Sequence, residues 1–214
     1  MVRTLRDILD AAAEGVFPPP DGGTTVVPQP SGRDAGVLAF TAHSVVFTDE
    51  DPAWVYEALR AVDCDALAAT MNARFLAALM DRTGRRGDTV DVLTVGSPLP
   101  GEPALALTEI DDPRHPRVVS SRRRRDDVRV WVTQDGGGLL VLGRGVAGRL
   151  EVAIEVAEDV RHRGLGRALV RAARQLGGGE PVWAQVSAGN ARSMRAFQAA
   201  GYRPVGSEML LSAP

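Results

Sequence analysis

Residues 150–167, LEVAIEVAEDVRHRGLGR, constrain this chain more than any other stretch. An apolar, β-branched strand runs straight into a glycine turn, and the turn opens a helix. Gly164 and Gly166 let the backbone approach a ligand with no side chain in the way. The residues that follow, LGRALVRAARQL, place Leu165, Leu169, Ala172, Ala173 and Leu176 on one helical face. The start of such a helix aims unpaired N–H groups into the turn, an arrangement that suits phosphate or pyrophosphate. Arg161, Arg163 and Arg167 add positive charge around it. A nucleotide-bearing cofactor is the natural occupant.

A Gly-x-Gly pair also closes turns for structural reasons alone. Two familiar phosphate motifs do not fit. A phosphate loop needs a lysine after its last glycine, and all 25 basic residues here are arginine. A dinucleotide fold needs a third glycine, but Leu169 stands in that place. Glu180, the nearest acidic residue downstream, comes too early and precedes the next strand.

A second constellation decides between these readings. Residues 182–186, VWAQV, read as a buried strand, and Asn190 starts a helix, ARSMRAFQAA. Gly201 ends that helix as a left-handed cap would, and Tyr202 begins a last extended run. Together the two segments resemble the GNAT superfamily of acyl-CoA-dependent N-acyltransferases. Arg161, Gly164 and Gly166 fill the family's [RQ]-x-x-G-x-[GA] turn, with Val156 closing the strand before it. Asn190, Ser193, Phe197, Gly201 and Tyr202 fill the later motif. The resemblance covers about residues 128–212.

The resemblance implies an α/β fold: a mixed, mostly antiparallel sheet flanked by helices. It implies acetyl-CoA as co-substrate and direct transfer of the acetyl group to a primary amine in a ternary complex. The pantetheine arm would pair with the strand edge at Ile154, Glu155 and Val156. The pyrophosphate would sit on Arg161, His162, Arg163, Gly164, Leu165, Gly166 and Arg167. The Val156 N–H would polarise the thioester carbonyl. Asn190 and Ser193 would meet the pantetheine, each being equally suited to helix capping. Phe197 belongs to the cofactor set by position, but many members carry a tyrosine there as general acid, and phenylalanine has no proton to give. An alkyl ammonium must lose a proton before it attacks. Glu155 and Glu151, an even distance apart on one strand face, are the candidate bases, with Glu208 a weaker one. The same features fit a non-catalytic acyl-CoA-binding or sensor module. A turn with a purely structural role would bind no CoA at all. The acceptor is not readable, and many relatives dimerise, which leaves a homodimer open.

The net charge of −2 gives no basic field for nucleic acid. No apolar run is long enough for a membrane span, and residues 1–15 pattern as a polar-faced helix rather than a secretion leader. Cys64 is the single cysteine, so the cytoplasm is the expected compartment. No Cys/His/Asp spacing suggests a metal site. His162 reads as a cofactor contact, His43 and His115 as structural or surface residues. Arg122–Arg125 suit the 3′-phosphate of CoA, an acidic acceptor or a solvated loop beside Asp126 and Asp127.

For organisation, the expectation is an N-terminal helix and Pro/Gly-rich connector over 1–35, then a GNAT-like domain over 36–214. The helix should run over 4–14 with Thr4 as its cap. Residues 17–34 should be irregular, 36–48 one strand, and 53–81 helical with a break near 63–65. Residues 82–88 read as a loop, and 89–127 as short apolar runs without a clear period. VRVWVT and LLVLGR, joined by DGGG, read as a hairpin, followed by a strand over 150–156.

Overall fold

The computed structural model describes residues 4–213. Along the chain come α1 (Leu5–Ala13), β1 (Thr24–Val27), β2 (Asp34–Phe40), β3 (His43–Phe47), α2 (Pro52–Arg60), α3 (Ala66–Ala69), α4 (Ala73–Thr83) and β4 (Val90–Gly96). They are followed by β5 (Leu107–Ile110), α5 (Pro116–Arg122), β6 (Asp126–Thr133), β7 (Gly138–Arg144), β8 (Leu150–Val156), α6 (Leu165–Leu176), β9 (Val182–Ser187), α7 (Ala191–Ala199) and β10 (Tyr202–Ser212). The architecture is mixed α/β, with mostly antiparallel pairing and flanking helices. The chain divides into two compact units. One holds the residues up to Leu93 and those from Val205; the other is Thr94–Pro204. The chain passes from one to the other within β4 and returns within β10. This division differs from the expected boundary at 35/36, which falls inside β2.

In the first unit the strand order is β1-β3-β2-β10. α1 begins as read: Thr4 and Asp7 form a reciprocal capping box, and Leu5, Ile8, Leu9 and Ala12 are buried. Residues 1–3 of the expected polar-faced helix lie outside the described residues. The expectation of an irregular 17–34 is corrected by β1, which pairs in parallel with β3 from Thr24↔Ser44 to Val27↔Phe47. TTVV is β-branched, but four residues between prolines and glycines are too few to display a period. The single strand expected over 36–48 is a hairpin, β2 and β3, turning at Ala42 with φ 53°. The helical stretch breaks twice. Asp65 caps α3 and Asn72 caps α4, which extends to Thr83 before Gly84 at φ 65°. Phe75, Leu76 and Leu79 of α4 pack against Val37, Val46 and Leu211.

In the second unit the order is β4-β9-β8-β7-β6-β5. The β6–β7 hairpin forms as read. Asp135 Oδ1 accepts from the Thr133 hydroxyl at 2.6 Å and from the Gly137 N–H at 3.0 Å, which fixes the turn. The unperiodic segment 89–127 resolves into β4, β5 and α5. One face of α6, with Leu169, Val170, Ala172 and Ala173, packs on Leu140, Leu142 and Val152 of the sheet and on Phe197 of α7. No helix among the described residues is long and apolar enough to cross a membrane.

Candidate active site

β8 positions the site by leaving a partner. It pairs with β7 along its whole length, from Gly138↔Val156 to Arg144↔Leu150. Its parallel pairing with β9 is confined to Glu151↔Trp183. The bonds at either end of the β7–β8 ladder, Gly145 N–H to Arg149 C=O and Ala157 N–H to Gly137 C=O, set the alternation. Odd-numbered residues bond toward β7, so Val152, Ile154 and Val156 direct N–H and C=O to the opposite edge. Beyond Glu151 that edge has no strand partner among the described residues. Arg161 Nε donates to the Val156 carbonyl at 3.2 Å, which leaves the Val156 N–H directed into the opening.

The turn after β8 is built from left-handed residues. His162 has φ 67° and Gly164 φ 85°. Only glycine holds the second conformation without strain. Gly164 caps α6 with no side-chain hydrogen bond, so the first N–H groups of α6 are unsatisfied and face the turn. Turn, open edge and α7 enclose a cavity of about 590 Å³. Its walls include Ile154, Glu155 and Val156 from β8, His162 and Gly164 from the turn, and Asn190 from the start of α7. Arg161, Leu165, Gly166, Arg167 and Ser193 also line it. Asn190 Oδ1 accepts from the Ser193 N–H at 3.1 Å, an N-cap. Arg192 and Arg195, which the sequence reading passed over, complete the α7 wall. Their signal was available: they sit on the exposed side of a helix whose cap had been singled out.

A family model described as acetyltransferase (GNAT) family matches residues 106–202. This segment belongs to the GNAT family. Solved structures are similar to the chain at low identity. A putative GNAT-family acetyltransferase from Novosphingobium aromaticivorans is 19% identical with TM-score 0.46, covering 61% of this chain and 68% of that one. A GCN5-related N-acetyltransferase from Kribbella flavida is 18% identical with TM-score 0.42, covering 65% and 63%. A GNAT-family acetyltransferase from Colwellia psychrerythraea is 9% identical with TM-score 0.43, covering 84% and 81%. No curated protein matches the chain. The family takes acetyl-CoA as co-substrate, and the arrangement fits that molecule: an open strand edge for the amides of pantetheine and an uncapped helix start flanked by arginine for its phosphates.

Four of the expected placements are corrected by the structure. Glu151 does not share the setting of Glu155. Its carboxylate is buried between Arg149 Nε at 2.8 Å and Arg125 Nε at 2.9 Å, and accepts the Val146 N–H at 3.3 Å. Burial alone would push its carboxyl up, but the two guanidinium charges outweigh burial and hold it below the ordinary range. The space that a Cβ on Gly145 would need is filled by this carboxylate, which explains the glycine. Glu155 is more open, on the cavity wall and paired with Arg117 Nε of α5 at 2.8 Å. Phe197 lines no part of the cavity. It is buried under α7, edge-on to Tyr202 with ring centroids 5.0 Å apart. It lies on the face of α7 that packs into the core with Leu169 and Ala173 of α6. Arg163 does not line this cavity but a second one, which shares Gly164, Leu165 and Arg167 with it. Arg122 and Arg125 are engaged by Asp111 at 2.7 Å and by Glu151, so that run is neither a phosphate seat nor a solvated loop as a whole.

The remaining candidates have structural surroundings. Glu208 is buried in the first unit, opposite Leu38. His43 bridges Asp21 Oδ1 at 2.7 Å and Thr25 Oγ1 at 2.9 Å. His115 caps α5 through Nδ1. Arg174 was missed entirely: it lies in an apolar helical face, yet donates to the Ser97 carbonyl at 2.6 Å and to the Ala200 carbonyl. It occupies the space a Cβ on Gly201 would take, so that glycine answers both a φ of 84° and a close guanidinium.

Proposed function

We propose that the GNAT segment binds acetyl-CoA and transfers its acetyl group to a primary amine by direct attack. One observation carries this reading: the open β8 edge at Ile154 and Val156 meets the uncapped start of α6 in a single cavity. Ile154 and Val156 offer backbone donors and acceptors to the pantetheine amides. The turn from Arg161 to Arg167 holds the pyrophosphate by N–H groups and positive charge. Asn190 and Ser193 flank the arm at the head of α7. When bound, acetyl-CoA supplies the thioester carbon on which the C–N bond forms as the C–S bond breaks. The Val156 N–H stabilises the negative charge that builds on the carbonyl oxygen. Glu155 takes the proton from the ammonium, directly or through a water. The nitrogen gives up its second proton as the amide forms and the departing thiolate takes one up, both through solvent, since Phe197 has none to give. A thiol of pKa roughly 8.5 leaves readily enough for this. Glu151 is assigned to holding the β7–β8 turn, not to the proton. Dimerisation and a cytoplasmic setting remain part of the proposal, as does the amine class.

The test is titration calorimetry of acetyl-CoA into the wild type and Gly166→Glu. A Cβ at Gly166 would meet Ile154 and Val156 only at 3.7 and 3.8 Å, so the helix tolerates the change while the carboxylate enters the anion seat. Gly164 suits the test less well, since its φ of 85° would add backbone strain. Micromolar binding by the wild type, lost in the variant, supports the reading. No binding by the wild type withdraws it. The buried, proton-free Phe197 favours a second reading, an acyl-CoA sensor. Thiol release with a panel of amines separates the two, because a sensor binds without turnover.

A further inference from the structure

β8 presents different neighbours on its two faces. Ile154 packs in the cluster that holds α6, while Ala153 packs with Val118 of α5 and Val141 of β7. Glu155 follows Ala153 by two residues and so shares the α5 face. With α6 and the cofactor's phosphates on one face, an acceptor reaches the thioester from the other. There Glu155 stands on the cavity wall, and Arg117 lies in the first turn of α5. His115 Nδ1 fixes that turn by accepting the Arg117 backbone N–H at 3.2 Å. Two other partly exposed pairs of this unit are closed. Arg129 grips Glu109 with hydrogen bonds of 2.9 and 2.8 Å, and Arg144 grips Glu180 with bonds of 2.7 and 2.6 Å. The pair at the cavity differs. Arg117 Nε lies 2.8 Å from Glu155 Oε2 and is shielded from solvent, yet it makes no hydrogen bond among the described residues. The charges are close, but the N–H is not aimed at the oxygen. A shielded donor without an acceptor is costly, and the guanidinium fork matches a carboxylate.

We infer that the acceptor is a zwitterion, a primary amine with a carboxylate on the same carbon or the next: an α- or β-amino acid. The inference rests on the acyl-transfer reading above. The ammonium faces Glu155 and the carboxylate faces Arg117, so four charges alternate in sign around a small ring. Each charge then has an opposite neighbour, and none is left uncompensated as the site closes around the substrate. Seating the carboxylate on Arg117 holds the amine beside Glu155. It also draws Arg117 away from Glu155, whose remaining partner is the ammonium it deprotonates. One ammonium proton passes to Glu155, one leaves to solvent as the C–N bond forms, and one stays on the amide nitrogen. The C–S bond breaks, and the thiolate takes up a proton from solvent. The products are the N-acetyl amino acid and CoA. The neutral amide no longer matches Glu155, which favours release.

The experiment measures thiol release from acetyl-CoA with the protein amino acids and β-alanine, each against its primary carboxamide. The proteins are the wild type, Arg117→Gln, Arg117→Lys and Glu155→Gln, with acetyl-CoA binding followed by calorimetry and folding by circular dichroism. The Arg117 pair is partly exposed and contributes little to stability, so its variants fold. At least one amino acid should be acetylated with kcat/KM about tenfold above its amide, the scale of one charge-assisted contact. Arg117→Gln should bring that ratio close to one, chiefly by raising KM for the acid. Arg117→Lys should restore part of it, since it keeps the charge and loses the fork. Glu155→Gln should lower kcat for acid and amide alike. Amides used as well as acids by the wild type overturn this inference and leave acyl transfer standing. So does an unchanged ratio in Arg117→Gln, which would make Arg117 a structural contact of α5. Acetyl-CoA binding without turnover of any amino acid overturns the inference and leaves the acyl-CoA reading standing. Failure of the wild type to bind acetyl-CoA overturns both.

Discussion

Glu151 and Glu155 stand on the same face of one strand, yet their replacement by glutamine should fail in opposite ways. Glu151 has a side chain only 4% exposed, and its partners Arg149 and Arg125 are 1% and 12% exposed. Glu151→Gln keeps the shape but leaves two guanidinium charges facing a neutral amide. Removing one partner of a buried ion pair costs about 3–5 kcal/mol. At about 2–4 °C per kcal/mol for a chain of this size, the melting temperature should fall by about 6–20 °C. Glu155 is 58% exposed and its partner Arg117 36%, a pair worth less than about 1 kcal/mol. Glu155→Gln should therefore melt within about 4 °C of the wild type. Its kcat should fall by about 10²–10⁴-fold, the range for a lost general base, with acetyl-CoA binding retained. Thermal unfolding by circular dichroism, calorimetry with acetyl-CoA and a thiol-release assay give the three readouts. A Glu151→Gln protein that melts normally but does not turn over would refute the reasoning. It would mean that a carboxylate enclosed by two arginines is the proton acceptor after all.

The buried network also sets a pH dependence. Glu151 titrates in the folded state below its ordinary value of 4.5, so the stability it contributes is complete above that pH and is lost as the pH falls toward the folded value. The urea midpoint should be flat from pH 7 to 5 and drop below about pH 4.5, with the difference between wild type and Glu151→Gln shrinking over the same window. A difference that stays constant down to pH 3 would contradict the assignment. Leu169→Ala, at a fully buried position in the core between α6 and the sheet, should cost about 2–5 kcal/mol by urea titration. A cost under about 1 kcal/mol would show that the α6 face does not hold the second unit together.

What could be read from the chain followed from how local each signal is. The β6–β7 hairpin, β8, α6, β9 and α7 lie where alternation, helical spacing and glycine punctuation put them, because each of those signals spans fewer than twenty residues. Thr4 and Asp7 mark the start of α1 for the same reason: the cap is a three-residue pattern. β1 was lost because TTVV is held by β3 rather than by its own period. The opening at β8 is implied by the resemblance to the family but not by the strand's own pattern. Val152 through Val156 read like any paired strand, and what makes the edge available is the early departure of β9 after Trp183. The two glutamates make the same point chemically. Alternation put Arg149 on the face of Glu151, and a glycine at 145 made room for the carboxylate, so part of the network was written locally. Arg125, whose charge completes it, comes from the far side of the β6–β7 hairpin, and only the folded pairing brings it there. A strand pattern therefore offered two equal candidates for a base, and distant residues distinguished them. A motif can locate the cavity, but the side chain with room to exchange a proton is decided by which neighbours have already claimed the others.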